Sequence, residues 1–140
     1  QGFGHPIYDV QDEKAWNRVF GGPIPVTVGF VLKGTIEKSP DLVQGYVNPC
    51  YRAQQWIRTA KDEEVVELLQ KPYMSTYNRE EILESVRYYR TIFDWDFVID
   101  EKDYENGVKV WVPLAVDRPI PYAKVADMSF VRKAHTKHRS

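Results

Sequence analysis

The sequence predicts a mixed α/β fold that is rich in helix, and three local patterns support this expectation. Residues 26–32 are a run of β-branched and aromatic residues, which is typical of a strand. Ser39 before Pro40 is typical of a helix start, because the hydroxyl can cap the helix and proline fits its first turn. Asn78, with Glu81 three residues later, matches a capping box. The sequence therefore predicts one clear strand among several helices.

The other elements follow from the spacing of apolar residues and from the positions of glycine and proline. Breakers at residues 21–25 separate a first short helix from the predicted strand. The predicted elements are a strand end at 7–10, helices at 12–20, 40–59 and 61–70, a helix beginning at 78, a helix beginning at 100 and ended by Pro113, a short helix at 128–134, and a frayed polar tail at 135–140.

The helix predicted over residues 40–59 carries apolar residues at alternating spacings of three and four, which places them on one face. They are Val43, Tyr46, Cys50, Ala53 and Ile57. We therefore expect this face to be buried. A buried Cys50 would behave as a small apolar side chain and not as a nucleophile.

The charge balance excludes some classes of partner. The 140 residues contain 19 lysines and arginines against 20 aspartates and glutamates, so no strong field would attract nucleic acid or an anionic membrane. No apolar run approaches the roughly 20 residues of a membrane-spanning helix. The single cysteine excludes an internal disulfide.

Neither a catalytic site nor a metal site is predicted. The acidic pairs fall at helix starts, where the helix dipole favours negative charge, so capping explains them better than acid–base chemistry. His135 and His138 could share a helix face, but no carboxylate or cysteine cluster converges on them. We expect a protein without enzymatic activity and without a cofactor.

The order of several segments resembles a known family. The run that leaves the glycine and proline turn at 25–33 is followed by SPDLV at 39–43, YRAQQWI at 51–57 and DEEVVELL at 62–69. Near the end stands IPYAKVADMSFV at 120–131. This ordered set resembles the solute-binding proteins of ABC importers for nitrate, sulfonates, taurine and thiamine precursors.

The resemblance implies a two-lobed periplasmic-binding-protein fold, of which the chain would supply the end of the second lobe and the returning part of the first. Residues 1–24 would end the second lobe, 25–33 would form a hinge strand, 34–134 would form the C-terminal part of the first lobe, and 135–140 a tail. The implied function is capture of a small anionic or heteroaromatic solute for a membrane permease. The implied location is periplasmic or extracytoplasmic, with the protein lipid-anchored or soluble.

In that family the ligand lies between the lobes, close to the hinge strands. The positions that match the returning hinge offer a hydroxyl at Thr27, a close backbone donor at Gly29 and an apolar wall at Phe30 or Trp16. We therefore expect these four residues to bind the ligand. A plain core strand explains each of them singly as well as ligand binding does.

Two other functions remain open at this point. One is an enzyme similar to the thiamine-pyrimidine synthases on the same fold, although their cysteine-rich segment is absent here. The other is a helical interaction domain with no small ligand. If residues 26–32 are a strand whose neighbours lie outside this sequence, its unpaired edges would favour a homo-oligomer.

Overall fold

The described part of the computed structural model comprises residues 4, 7, 9, 12–115 and 118–138, with the backbone alone for 111–115. These residues form eight α-helices. They are α1 (Glu13–Phe20), α2 (Lys33–Lys38), α3 (Pro40–Thr59), α4 (Asp62–Tyr73), α5 (Arg79–Ile92), α6 (Glu101–Ala115), α7 (Tyr122–Val125) and α8 (Ser129–Lys137).

The prediction of a mixed α/β fold is wrong, because the described residues contain no strand and no sheet. The run at 26–32 is not helical, but no strand lies beside it and the chain bends at Thr27. β-branched residues favour an extended backbone, yet a strand exists only where its amides and carbonyls pair with a neighbour. The two-lobed α/β architecture is therefore not the fold of these residues. The strand end expected at 7–10 lies partly outside the described residues.

Local capping chemistry determines where several helices begin. Asn78 Oδ1 accepts a hydrogen bond from the Glu81 amide at 2.9 Å, and Glu81 Oε2 accepts one from the Asn78 amide at 3.0 Å. This reciprocal pair confirms the predicted capping box at the start of α5. At α1 the Asp12 carboxylate accepts from the Ala15 amide at 2.9 Å. Both patterns are complete within four residues, so the sequence displays them directly.

Proline ends helices less sharply here than the sequence predicts. Helix α4 continues to Tyr73, past Pro72, and α6 continues past Pro113 to Ala115. Helix α8 extends to Lys137 and so includes residues expected in a frayed tail. The ring of His135 lies 4.8 Å from that of Tyr51, and His135 Nε2 donates to the Asp96 carbonyl at 2.5 Å. These contacts hold the C-terminal helix against the rest of the fold.

The tightest packing joins α4 to α5. Val65, Val66, Ile82 and Val86 are buried between these two helices, and Leu69, Met74 and Leu83 pack around them. Two ion pairs also join the helices: Asp62 Oδ2 lies 3.0 Å from Arg87 Nε, and Asp62 Oδ1 lies 3.3 Å from Arg90 Nη1.

A second buried cluster joins α3 to α8. Val43 and Tyr51 of α3 are buried together with Phe130, Val131 and Ala134 of α8. The predicted buried face of α3 is therefore wrong beyond Val43, since Tyr46 and Ala53 are exposed and Cys50 is only half-buried. Helix α8 packs on the face that carries Val43 and Tyr51, and the neighbouring face remains open.

The α4–α5 contact leads to a stability prediction. Replacing Ile82, which is 1% exposed, by alanine should lower the free energy of unfolding by about 2–5 kcal/mol, because it leaves a cavity between the helices. Ile92 ends the same helix and is 40% exposed, so Ile92→Ala is the matched control and should cost well under half as much. Urea unfolding followed by circular dichroism measures both variants. Equal losses would mean that the contact does not form as described.

Candidate interaction surface

A charge-free stretch of chain connects α1 to α2. Residues 19–32 contain no charged side chain, although charged residues make up 28% of the sequence. We refer to residues 24–32 as the uncharged segment. None of its residues has a positive φ, and Leu32 at its end has the φ of −69° and ψ of 144° of an extended backbone. Beyond the bend at Thr27, the segment thus shows no backbone feature that opposes strand pairing.

The turn that leads into the uncharged segment is held by two side chains. Trp16 Nε1 donates to the Gly22 carbonyl at 2.9 Å, and the Trp16 ring packs 4.2 Å from that of Phe20. Asn106 of α6 is 3% exposed, and its Nδ2 lies 3.4 Å from the Pro23 carbonyl. Helices α1 and α6 together therefore fix the point at which the segment begins.

Two further contacts hold the middle and the end of the segment. A Cβ placed on Gly29 would lie 3.4 Å from Cε1 of Tyr46, so the backbone passes directly over that ring. At the end, the Leu32 carbonyl accepts from the amides of Thr35 and Ile36, which anchors the segment to the first turn of α2. The segment is attached to the folded helices at three places.

Between these attachments the apolar side chains of the segment are exposed. Val26, Val28, Phe30 and Leu32 occupy alternate positions, and Phe30 reaches 91% exposure. In an extended backbone, alternate residues lie on one face. Among the contacts of the described residues, no hydrogen bond engages a backbone amide from Val26 to Leu32. The segment therefore offers both an apolar row and free amides.

Helix α3 carries further exposed apolar side chains beside the segment. Leu42 and Tyr46 are one helical turn apart and both are exposed. The nearby charge of Cys50 in its ionised form, together with a side-chain hydrogen bond from Cys50, raises the pKa of Tyr46 above its ordinary value. The phenol itself is therefore neutral throughout the physiological pH range.

The structure does not bring the four residues expected to bind a solute into one pocket. Thr27 and Phe30 are exposed, Gly29 lies over Tyr46, and Trp16 is half-buried with its indole N–H bonded to Gly22. Two shallow grooves of the described residues lie elsewhere. One, of about 570 Å³, is lined by Pro49, Tyr51, Arg52, Ala53, Gln55, Trp56 and His138; the other, of about 450 Å³, is lined by Ser129, Arg132, Lys133, Thr136 and Lys137.

Comparison with known proteins found no match: no family model, no curated protein and no solved structure matches this sequence. Among the described residues, no helix has the length and apolar character needed to cross a membrane. The same part of the chain contains no group of three or more histidine, cysteine, aspartate or glutamate side chains that could hold a metal ion.

Sequence analysis missed two residues that hold the surface in place, Asn106 and Tyr46. Asn106 is the only polar or charged residue buried in the described part of the chain. Its neighbours in the sequence of α6 do not indicate which group it contacts. Tyr46 was assigned to a buried face. The adjacent glycines 21 and 22 were the available signal, since Gly22 has a φ of +148° and lies against Asn106.

The turn at Gly22 leads to a prediction with a matched control. A Cβ at Gly22 would lie 2.8 Å from Asn106 Nδ2, at a φ that other residues rarely adopt, so Gly22→Ala should destabilise the protein by about 1–3 kcal/mol. Gly45 lies inside α3, where an added Cβ meets nothing within 4 Å. Gly45→Ala should instead stabilise by about 0.5–1 kcal/mol. Thermal unfolding of the two variants checks the opposite signs, and a neutral Gly22→Ala would refute the described turn.

Proposed function

We propose that this chain is a non-enzymatic interaction domain that binds an extended apolar polypeptide along residues 26–32. The observation that supports this function is the combination, in one segment, of exposed apolar side chains at alternate positions and backbone amides without partners. A bound strand would supply the missing hydrogen bonds and cover the apolar row at the same time. Strand addition of this kind takes affinity from the backbone and specificity from alternate side chains.

The chemistry of the segment favours a polypeptide over a small polar ligand. Fully burying a side chain such as Phe30 or Leu32 contributes about 1.5–3 kcal/mol, and both are now almost fully exposed. No charged side chain stands within residues 19–32 to bind an anion. The three attachments already restrict the segment, which lowers the conformational entropy that binding must remove.

Hydrogen exchange with a synthetic strand tests this function. The probe is a peptide of sequence KVTVTVTVK. The chain is kept at a concentration at which it shows no self-association on its own. We expect the amides of residues 26–32 to become protected while those of α4 and α5 keep their rates. The matched control is KVTPTVTVK, whose proline removes an amide and interrupts pairing.

Unchanged exchange at 26–32 in an otherwise folded chain would contradict the proposed function. Protection by both peptides would also contradict it, because binding would then not depend on backbone pairing. The variant Phe30→Lys should weaken protection, since it removes the most exposed apolar side chain of the row.

Capture of a small solute for an ABC importer is a second proposal. It is supported by the order of the segments at 39–43, 51–57 and 62–69. Periplasmic or extracytoplasmic location and contact with a permease belong to this proposal. Calorimetric titration with taurine and with nitrate tests it. Binding that Trp16→Ala abolishes and Trp56→Ala preserves would support solute capture, and no heat with either ligand would contradict it.

A further inference from the structure

We propose that the strand bound by the uncharged segment is the same segment of a second copy of this chain, paired antiparallel about Gly29. This inference rests on the proposed function and names its partner. It follows from the limits of the segment, from the pairing that these limits impose and from the distribution of charge around it.

The ends of the segment fix the length available for pairing. Pro25 has no backbone N–H and so cannot donate to a neighbouring strand. At the other end α2 begins at Lys33, whose backbone belongs to the helix. Pairing is therefore confined to residues 26–32, and the centre of that range is Gly29. Two copies that use the whole range place Gly29 opposite Gly29 whether they are antiparallel or parallel, and the antiparallel pair is the one proposed.

This register places complementary side chains opposite each other. Val28 faces Phe30 of the second copy, and Val26 faces Leu32 of the second copy, each twice because of the two-fold symmetry. Pairs of aromatic and β-branched residues are favourable across antiparallel strands. The two inner pairs, formed by Val28 and Phe30, lie beyond the bend at Thr27, so the described backbone already suits them.

The opposite face of the paired strands is compatible with the same arrangement. Thr27, Gly29 and Val31 alternate with the apolar row, and Gly29 is the residue that lies over the Tyr46 ring. Because Gly29 has no side chain, Tyr46 of each copy could remain beneath the central pair. A two-fold axis perpendicular to the plane of the paired strands puts both Tyr46 rings and the half-exposed Val31 side chains on this face, and Val26, Val28, Phe30 and Leu32 of each copy on the other.

Charge selects the antiparallel orientation. The nearest charged residues along the chain are Arg18 and Lys33, and none lies between them. In the antiparallel register Lys33 of one copy lies beside Pro25 of the other. A parallel pair in register would bring the two Lys33 side chains together, which is destabilising. An uncharged segment also raises no electrostatic barrier against its own copy.

Sedimentation equilibrium over a range of concentrations tests self-association. We expect a monomer–dimer equilibrium in the parent chain, and a dissociation constant at least about tenfold higher for both Val28→Lys and Phe30→Lys. The matched control is Tyr73→Lys at the end of α4, because Tyr73 is 77% exposed but lies outside the segment. Its dissociation constant should stay within about twofold of the parent value.

Cysteine pairing tests the register in the Cys50→Ser background. When Val28→Cys and Phe30→Cys chains are mixed under mild oxidation, the disulfide joining one of each should predominate over the two homodimers, because residues 28 and 30 face each other. Predominance of either homodimer would overturn the Gly29-centred register.

The results of these experiments distinguish a wrong partner from a wrong function. A chain that stays monomeric at all concentrations, or a dimer that Tyr73→Lys weakens as much as Phe30→Lys, would overturn self-pairing. If KVTVTVTVK still protects residues 26–32 in that case, strand binding stands and only the identity of the partner is wrong. If neither the peptide nor a second copy protects these amides, both proposals fail.

Discussion

Among the described residues no strand lies beside the uncharged segment, so its apolar row and its backbone amides are left open. Helices α4 and α5 bury their valines and isoleucine against each other, and α3 with α8 does the same around Tyr51 and Phe130. Both contacts are complete without residues 24–32. The segment passes across α3 at Tyr46 and leaves its apolar row in water. Since exposed rows of this kind are costly and open to association, they are typical of interaction sites.

The attachments of the segment support its proposed role as a binding element. A free chain of nine residues would lose much conformational entropy on pairing, at about 1–2 kcal/mol per residue. Here Trp16 and Asn106 hold the turn before the segment, Tyr46 supports its middle, and the first turn of α2 holds its end. These contacts use polar groups at the ends and a ring beneath a glycine in the centre. They leave the amides and the apolar row available to a partner.

The sequence predicted local features well and non-local features badly. The capping box at Asn78 and the start of α3 at Pro40 depend on residues within one turn, so they could be recognised from the sequence, although the Ser39 side chain makes no capping hydrogen bond. The strand at 26–32 depended on a neighbour, and composition alone cannot supply one. The buried face of α3 was wrong for a related reason. Tyr46 and Tyr51 lie on different faces of α3, and the choice between them is made by α8, which is some eighty residues away in the chain.

The candidate site was predicted only in part. Thr27, Gly29 and Phe30 were singled out as a ligand site, and they belong to the segment that the structure leaves open, although they do not form a pocket. Trp16 holds the turn instead of facing a cleft. The role of Asn106 could not be predicted, because its partner at Pro23 is 83 residues away. Sequence patterns identified an unusual segment but not the contacts that hold it at the surface.

Self-pairing requires residues 26–32 of two copies to lie side by side. An isotope-filtered nuclear Overhauser measurement on an equal mixture of labelled and unlabelled chains detects only contacts between molecules. We expect intermolecular signals between the Val28 methyl groups and the Phe30 ring, together with signals between the α-protons of the facing strands. Intermolecular signals confined to other surfaces, or none at concentrations where the chain is folded, would contradict self-pairing.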